Sequence, residues 1–485
     1  MNGPVRRVAI ACLVLFGALM VNANYIQVFE AHKLRNNSRN ARVLISSYDR
    51  ERGPIVVGGQ TVAESKPTTD SLKYLRTYPG GPAYAPVTGF FSLVYGATAI
   101  ERADNDILSG TDDRLFVRRL SDLVTGRTAQ GGSVVLTLNP KAQAAAFAGL
   151  QGKRGAVVAI DPSTGAILAM ASSPSYDPSV LSSHDTAAIT AGYKKLTGDT
   201  ANPMLNRAIR QNYPPGSVFK VVTAAAALSS GRFKPDTQIP APDKLKLPLT
   251  TNTLSNFGGE SCGDGRTTSL TDALRISCNT AFAQLGLDVG ADALRKQADA
   301  FGFSDNLSLP LQAERSVFPT SLDQPQTALS AIGQYEVKET PLQAALVAAG
   351  VANRGKVMRP YLVQKVQAPD LSVLSQAQPE VLHQAVDAGV ADQLTAMMEA
   401  VVTAGTGTAA QVPGVRIAGK TGTAQHADGK APHAWFIGFG PVGDAKVAVA
   451  VLVEDGGNAG SEATGGQVAA PIAKSVIQAV LGGGP

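Results

Sequence analysis

The sequence predicts an α/β chain of the α+β type: an antiparallel sheet flanked by helices, with a small N-terminal stalk domain and one membrane helix before it. Three observations lead there. Strand-like apolar runs fall in two groups, over 133–171 and 415–454, on either side of a segment whose apolar pattern is helical. A stretch punctuated by Gly and Pro, 30–130, precedes that body. Residues 8–29 carry no charge, close to the ~20 residues that a membrane span requires.

Taken in order, residues 1–7 hold Arg6 and Arg7 and read as a cytoplasmic tail, because Lys and Arg stay on the cytoplasmic side of a span. Residues 8–29 read as the anchor, which places the rest of the chain outside. A cleaved signal peptide is the rival, since Val21-Asn22-Ala23 has small residues at a cleavage-like position, although Asn22 and Asn24 fit it poorly. Residues 30–130 form the stalk, with short apolar runs at 43–45 and 55–57 and turns at Gly58-Gly59, Pro79-Gly80-Gly81 and Ser109-Gly110. Helical periodicity is weak there, so small strands and loops are expected.

The second domain, 131–485, opens with a strand over 133–138 and an Ala-rich helix over 141–150 begun at Asn139-Pro140. The runs 155–160 and 166–171 flank Asp161-Pro162-Ser163-Thr164-Gly165, which is hairpin turn chemistry. The run 219–228 is apolar nearly all round, as for a helix buried on every side, and Gly231 is a suitable C-cap. Two more helices flank Ser277, and Thr340-Pro341 caps a helix over 342–352. Strands at 415–418, 434–439 and 446–454 and a closing helix at 468–481 complete the body.

The composition narrows the function. With 485 residues and 44% hydrophobic content the chain can bury real cores. Lys plus Arg number 43 against 38 for Asp plus Glu, a net charge of +5, with no basic stripe, so no nucleic-acid partner is expected. Five His and three Cys show no ligand spacing, so neither a metal nor any other cofactor is expected.

Three short patterns carry the chemistry. Ser217 stands at a helix start in Pro214-Pro215-Gly216-Ser217-Val218-Phe219-Lys220, and Lys220 at i+3 shares its face. Burial of that lysine would lower its pKa and let it act as base, and the helix N-terminus would favour a nearby oxyanion. Ser277-Cys278-Asn279 lies 60 residues later between helices. On an extended loop, residues two apart point the same way, so Ser277 could relay protons and Asn279 hold a substrate amide. Lys420-Thr421-Gly422-Thr423 follows 143 residues after Ser277 as an edge strand facing the cleft. There Lys420 and the threonine hydroxyls would meet a substrate carboxylate, Gly422 would admit a ligand closely, and the Thr423 N–H would serve an oxyanion. Each pattern alone is ordinary: a helix start with a surface Lys, a cap, a strand end.

Together, in this order, Ser-x-x-Lys, Ser-x-Asn and Lys-Thr-Gly resemble the signature of penicillin-binding proteins and class A β-lactamases. The flanks agree: Tyr213 to Lys220, Gly405-Thr406-Gly407, Ala434-Trp435-Phe436-Ile437-Gly438-Phe439, Ile332-Gly333-Gln334 and Thr340-Pro341-Leu342-Gln343. In the stalk, Arg52-Gly53-Pro54-Ile55 and Tyr95-Gly96 with Ala99-Ile100-Glu101 resemble two boxes of class B penicillin-binding proteins, and the overall layout is most similar to their actinobacterial members. One departure is Val56-Val57-Gly58-Gly59, where the family has Asp-Arg-Asn-Gly.

The resemblance implies a peptidoglycan D,D-transpeptidase of penicillin-binding, serine β-lactamase-like fold, with stem peptides and β-lactams as its ligands. It implies Ser217 as nucleophile, Lys220 as base, Ser277 as relay, Asn279 as amide holder and Lys420 completing the network. Thr421, Gly422 and Thr423 would bind substrate, with the N–H groups of Ser217 and Thr423 as oxyanion hole. It also implies a separate membrane glycosyltransferase partner. A carboxypeptidase or β-lactamase is the nearest alternative, since all three share the first half-reaction, and a β-lactam sensor is a more distant one because so little chain precedes the apolar run. From compartment and position, Cys262 and Cys278, 16 residues apart and both outside the anchor that holds Cys12, are expected to pair.

Overall fold

The uncharged N-terminal run forms what its composition favours. In the computed structural model, which describes residues 3–30, 48–116, 125, 130–426 and 429–482, helix α1 covers Gly3–Val28 and buries none of its residues. Its 26 residues extend about 39 Å at 1.5 Å per residue, more than the ~30 Å core of a bilayer. The helix starts upstream of residue 8 because Arg6 and Arg7 are good helix formers and continue it.

The stalk is built on a six-stranded sheet ordered Val373–Gln376, Val363–Gln367, Ser133–Leu136, Ile55–Val57, Gln60–Pro67, Tyr74–Thr77. Gly58 and Gly59, both at positive φ, make the tight turn between Ile55–Val57 and Gln60–Pro67. The expected strand at 133–138 ends at Leu136 and joins this sheet, parallel to Ile55–Val57 and antiparallel to Val363–Gln367. A boundary near residue 131 therefore falls just before a strand that both parts of the chain use. The run at 43–45 lies outside the described residues.

The stalk also holds short helices at Gly81–Thr88, Ala99–Ala103 and Asn105–Leu108, a correction to the expectation of strands and loops alone. None exceeds eight residues, too few turns to print a 3.6-residue period on the sequence. Its two family-like boxes meet in the interior: Arg52 Nε lies 2.6 Å from Glu101 Oε2 and Arg76 Nε 2.7 Å from Glu101 Oε1, all three side chains buried. Burial pushes the Glu101 carboxyl up, and the two guanidiniums outweigh it and hold the pKa below the usual range.

The body is organised by a five-stranded antiparallel sheet. Its strands are β1 (Gly155–Ile160), β2 (Ile167–Ser173), β3 (Ala418–Ala424), β4 (His433–Gly440) and β5 (Val447–Val453), in the order β3-β4-β5-β1-β2. The period-two rule sorts their side chains. Val157, Ala159, Val449 and Val451 pack with Ala146, Ile472 and Val476 of the helices Pro140–Gly149 and Ala470–Val480 on one face. Ala156, Val158, Ala450 and Leu452 join the larger core on the other, which includes helices α2 (Lys220–Ser229), α3 (Leu270–Arg275), α4 (Asn279–Val289) and α5 (Pro341–Ala352). Both faces are covered, so β1, β4 and β5 are buried throughout and read as unbroken apolar runs. The strand expected at 415–418 begins instead at Ala418 and carries Lys420 to Thr423 within it, because Val415 closes a local bridge with Val412.

Candidate active site

Ser217 lies in a 3₁₀ turn, Gly216–Phe219, that leads directly into α2. A 3₁₀ turn has three residues per turn and eclipses i with i+3, so Ser217 and Lys220 stand on one side. Tight backbone packing fixes the turn. Gly216 has φ 54°, donates its N–H to Gly333 O at 2.9 Å, and sits where a Cβ would lie 2.8 Å from Thr423 O. Upstream, Tyr213 exchanges two 2.9 Å backbone bonds with Glu339, and Trp435 Nε1 donates to Pro214 O at 3.1 Å. The nucleophile turn is thereby clamped between β3, β4 and the 333–339 segment.

Ser277 and Asn279 reach the same place by a different route from the extended loop expected. Ser277 takes a left-handed conformation (φ 63°) after α3, and Asn279 is the first residue of α4. Cys278 lies between them and is bonded to Cys262, with Cα atoms 6.1 Å apart, so the expected pairing is present. A disulfide sulfur cannot cap a helix. Asn256 does so instead: its Oδ1 accepts the N–H of Asn279 at 2.9 Å and of Thr280 at 3.1 Å.

The three motifs converge on Lys220. Its Nζ donates to Ser277 O at 2.7 Å and to Asn279 Oδ1 at 2.7 Å, and lies 3.3 Å from Ser277 Oγ. It is fully buried, and burial first, then the charge of Lys420, holds its pKa well below the usual lysine range. Lys420 is equally buried; its Nζ donates to Thr421 O at 2.8 Å, and burial brings its pKa down to about 7. No carboxylate pairs with either lysine among the described residues. Two buried cations close together without a counter-ion disfavour each other's protonated form, and a neutral Lys220 has a lone pair to accept a proton.

On β3, Gly422 is forced by contact: a Cβ there would lie 2.9 Å from Trp435 Cβ, 3.0 Å from Val218 Cγ1 and 3.2 Å from Pro215 O. Thr421 Oγ1 lies 2.6 Å from Thr406 Oγ1, and Thr423 is partly exposed beside the turn. As the sheet edge, β3 keeps backbone polar groups free to pair with an added peptide. A cleft of about 420 Å³ opens alongside, between Pro214, Tyr335 and Lys338 on one wall and Gln425, His426 and Lys430 on the other.

Two groups around the site are missed by sequence reasoning. Asn256 is one Asn in a polar, Gly-rich stretch, and nothing local ties it to a helix that starts 23 residues on. Glu454, just past β5, accepts from Arg207 Nε at 2.8 Å and from the Tyr213 hydroxyl at 2.7 Å, bracing the residue before the Pro-Pro-Gly turn. Its partners come from 241 and 247 residues away, a separation no local pattern encodes.

Comparison with known proteins agrees with this geometry. Residues 155–478 match the penicillin binding protein transpeptidase domain and residues 52–134 the penicillin binding protein A dimerisation domain. The chain is 50% identical to the peptidoglycan D,D-transpeptidase PbpA of Mycolicibacterium smegmatis, with 99% of each chain covered. It is 47% identical to that of Mycobacterium tuberculosis, with 100% of each covered. Among solved structures, penicillin-binding protein A from M. tuberculosis as its ceftriaxone acyl-enzyme superposes with a TM-score of 0.88 at 46% identity, covering 90% of this chain and 100% of that one.

Proposed function

This chain belongs to the penicillin-binding protein transpeptidase family, class B, and we propose that it cross-links peptidoglycan stem peptides as a serine D,D-transpeptidase with Ser217 as nucleophile. The observation that carries the assignment of roles is the buried Lys220, bonded to both Ser277 and Asn279 on the side of the turn that presents Ser217.

Ser217 Oγ attacks the carbonyl of a terminal D-Ala-D-Ala while neutral Lys220 takes its proton. The N–H groups of Ser217 and Thr423 receive the oxyanion, and Asn279 orients the acyl amide. The proton passes through Ser277 to the departing D-Ala amine as the C–N bond breaks, leaving an ester on Ser217. Burial, with the nearby Lys420 charge, favours a deprotonated Lys220, and the Thr421 and Thr423 hydroxyls hold the terminal carboxylate. The amine of a neighbouring stem peptide then attacks the ester, loses its proton to the same base and restores Ser217. A β-lactam enters by the same first step, and its tethered leaving group blocks the second.

Residues 131–485 act as the catalytic unit on the 30–130 stalk, and α1 anchors them in the membrane with Arg6 and Arg7 on the cytoplasmic side. The resemblance to class B members supports assigning glycan polymerisation to a separate membrane glycosyltransferase. The test uses the full-length chain in detergent with a D-Ala-D-Ala stem peptide, with and without an acceptor amine. Cross-linked product formed only with acceptor, and a β-lactam adduct mapped to Ser217, are expected. Free D-Ala with hydrolysed donor even when acceptor is present would identify a carboxypeptidase, and rapid drug turnover a β-lactamase.

A further inference from the structure

Beside the nucleophile turn, three side chains that acyl transfer does not use converge: His426, just past β3, His433, which opens β4, and Asp455, just past β5. We infer that they form a site for one divalent transition-metal ion of the zinc type, with two imidazole nitrogens and one carboxylate oxygen as ligands and a fourth position open.

The spacing of the donor atoms supports this. His426 Nε2 lies 3.1 Å and His433 Nδ1 3.8 Å from Asp455 Oδ1, and all three donors fall within 4.8 Å of one another. Tetrahedral Zn²⁺ with bonds of about 2.0–2.1 Å sets its ligands about 3.3 Å apart. Two of the three edges are within about half an ångström of that value, and turning the exposed His426 ring closes the third. The donor set also selects the ion: Ca²⁺ and Mg²⁺ prefer oxygen ligands, whereas two imidazoles with a carboxylate suit zinc and its neighbours.

His433 is held before any ion arrives, and His426, stacked parallel on it, must turn off the stack for its lone pair to meet the same ion. His433 is buried, its ring meets Tyr213 edge-on at 5.5 Å, and His426 stacks on it at 3.9 Å with 8° between planes. Asp455 is fixed in a left-handed conformation (φ 51°) between Glu454, tied to Arg207 and Tyr213, and Gly456 (φ 65°). Asp is among the few non-glycine residues that take this conformation readily, and the conformation fixes the direction of its side chain. The Asp455 N–H donates to His433 Nδ1 at 3.1 Å, and a metal at that nitrogen replaces this bond.

The site would tie the connection after the Lys-Thr-Gly strand to the turn after β5. His433 pairs with Ala424 across the β3–β4 ladder, and His426 lines the cleft beside Pro214. A bound ion would therefore stiffen one wall of that cleft and turn its open position toward water.

The test uses tag-free, full-length chain in detergent, stripped with EDTA and titrated with Zn²⁺ against a chromogenic chelator, with melting followed in parallel. One equivalent should bind saturably, the melting temperature should rise with free Zn²⁺, and Mg²⁺ should leave it unmoved. His426→Ala and Asp455→Asn, both at exposed side chains, should each weaken binding at least tenfold while melting like the parent in EDTA; Asn tolerates the left-handed backbone. Zinc absorption spectra of the loaded protein should show two nitrogen scatterers of imidazole type, and one in His426→Ala. Absence of a one-equivalent site, or parental affinity in both variants, would overturn the inference.

Discussion

Lys220 Nζ and Asn279 Oδ1, 59 residues apart in sequence, lie 2.7 Å apart with the lysine sealed from solvent. The amide that would orient a substrate thus also fixes the base. A change at either residue should disturb both acylation and substrate capture, with non-additive losses in the double variant.

Lys420 acts on Lys220 through charge, which gives a signed prediction. Burial lowers the Lys220 pKa most and the Lys420 ammonium lowers it further, so Lys420→Met should let Lys220 keep its proton to higher pH. The acid limb of the β-lactam acylation rate should then move to higher pH, in addition to any fall in the maximum. Stopped-flow acylation across pH 5–10 reads this directly. An unmoved limb, or one moved to lower pH, would show that Lys420 does not poise the base.

Asn256→Ala removes the acceptor from two N–H groups at the start of α4. The expected loss is about 1–2 kcal/mol of stability, as for a helix N-cap, measured by chemical denaturation. Because Asn279 opens that helix, acylation of the folded variant should also slow, whereas Asn256→Asp should retain much of the rate by accepting the same bonds.

Reducing the Cys262–Cys278 bond frees a loop of 16 residues, for which chain entropy gives about 3 kcal/mol. Melting should occur at lower temperature after reduction. Acylation should slow without a change in the labelled residue, since Cys278 lies between Ser277 and Asn279 and braces both. Alkylation of the denatured, unreduced chain should leave these two cysteines unmodified, and carbamidomethyl groups on both would contradict the pairing.

Glu339 is a buried carboxyl that burial raises to about 8. Between its unfolded value near 4.3 and about 8, the native state holds a proton that the unfolded chain has released. Stability therefore falls as pH rises through that window and levels off above it. Glu339→Gln should remove this part of the fall, a gain on the order of a few kcal/mol at pH 8. Equal pH dependence of parent and variant in urea titrations would count against it.

Much of this was legible in the chain because it is local. The caps at Asn139 and Thr340, the all-round apolar α2 and the hairpin at 161–165 each follow from chemistry within a few residues, and each is present. Lys420 to Thr423 fall on an edge strand as their glycine and threonines suggest. The strands Val363–Gln367 and Val373–Gln376 were missed because their burial is patchy; the first pairs with a strand more than two hundred residues back, and the second is an edge strand paired only with the first. Asn256, Glu454 and the His426, His433, Asp455 cluster were missed for the same reason: their partners are set by tertiary folding, and spacing alone gives no sign of them.

The strand Ser133–Leu136 has a bearing on how the chain acquires its shape. It must pair with Ile55–Val57 on one side and with Val363–Gln367 on the other. Synthesis proceeds from the N-terminus at ~5–20 residues per second, so the first half of the stalk sheet exists for roughly 10–45 seconds before the strands that complete it have been made. During that interval Ser133–Leu136 is an open edge, with unpaired N–H and C=O groups and apolar side chains, the condition that invites wrong pairing. The N-terminal sheet is thus among the last parts of the chain to finish folding, and a holding factor that shields that edge while the rest of the chain emerges would raise the yield of active enzyme.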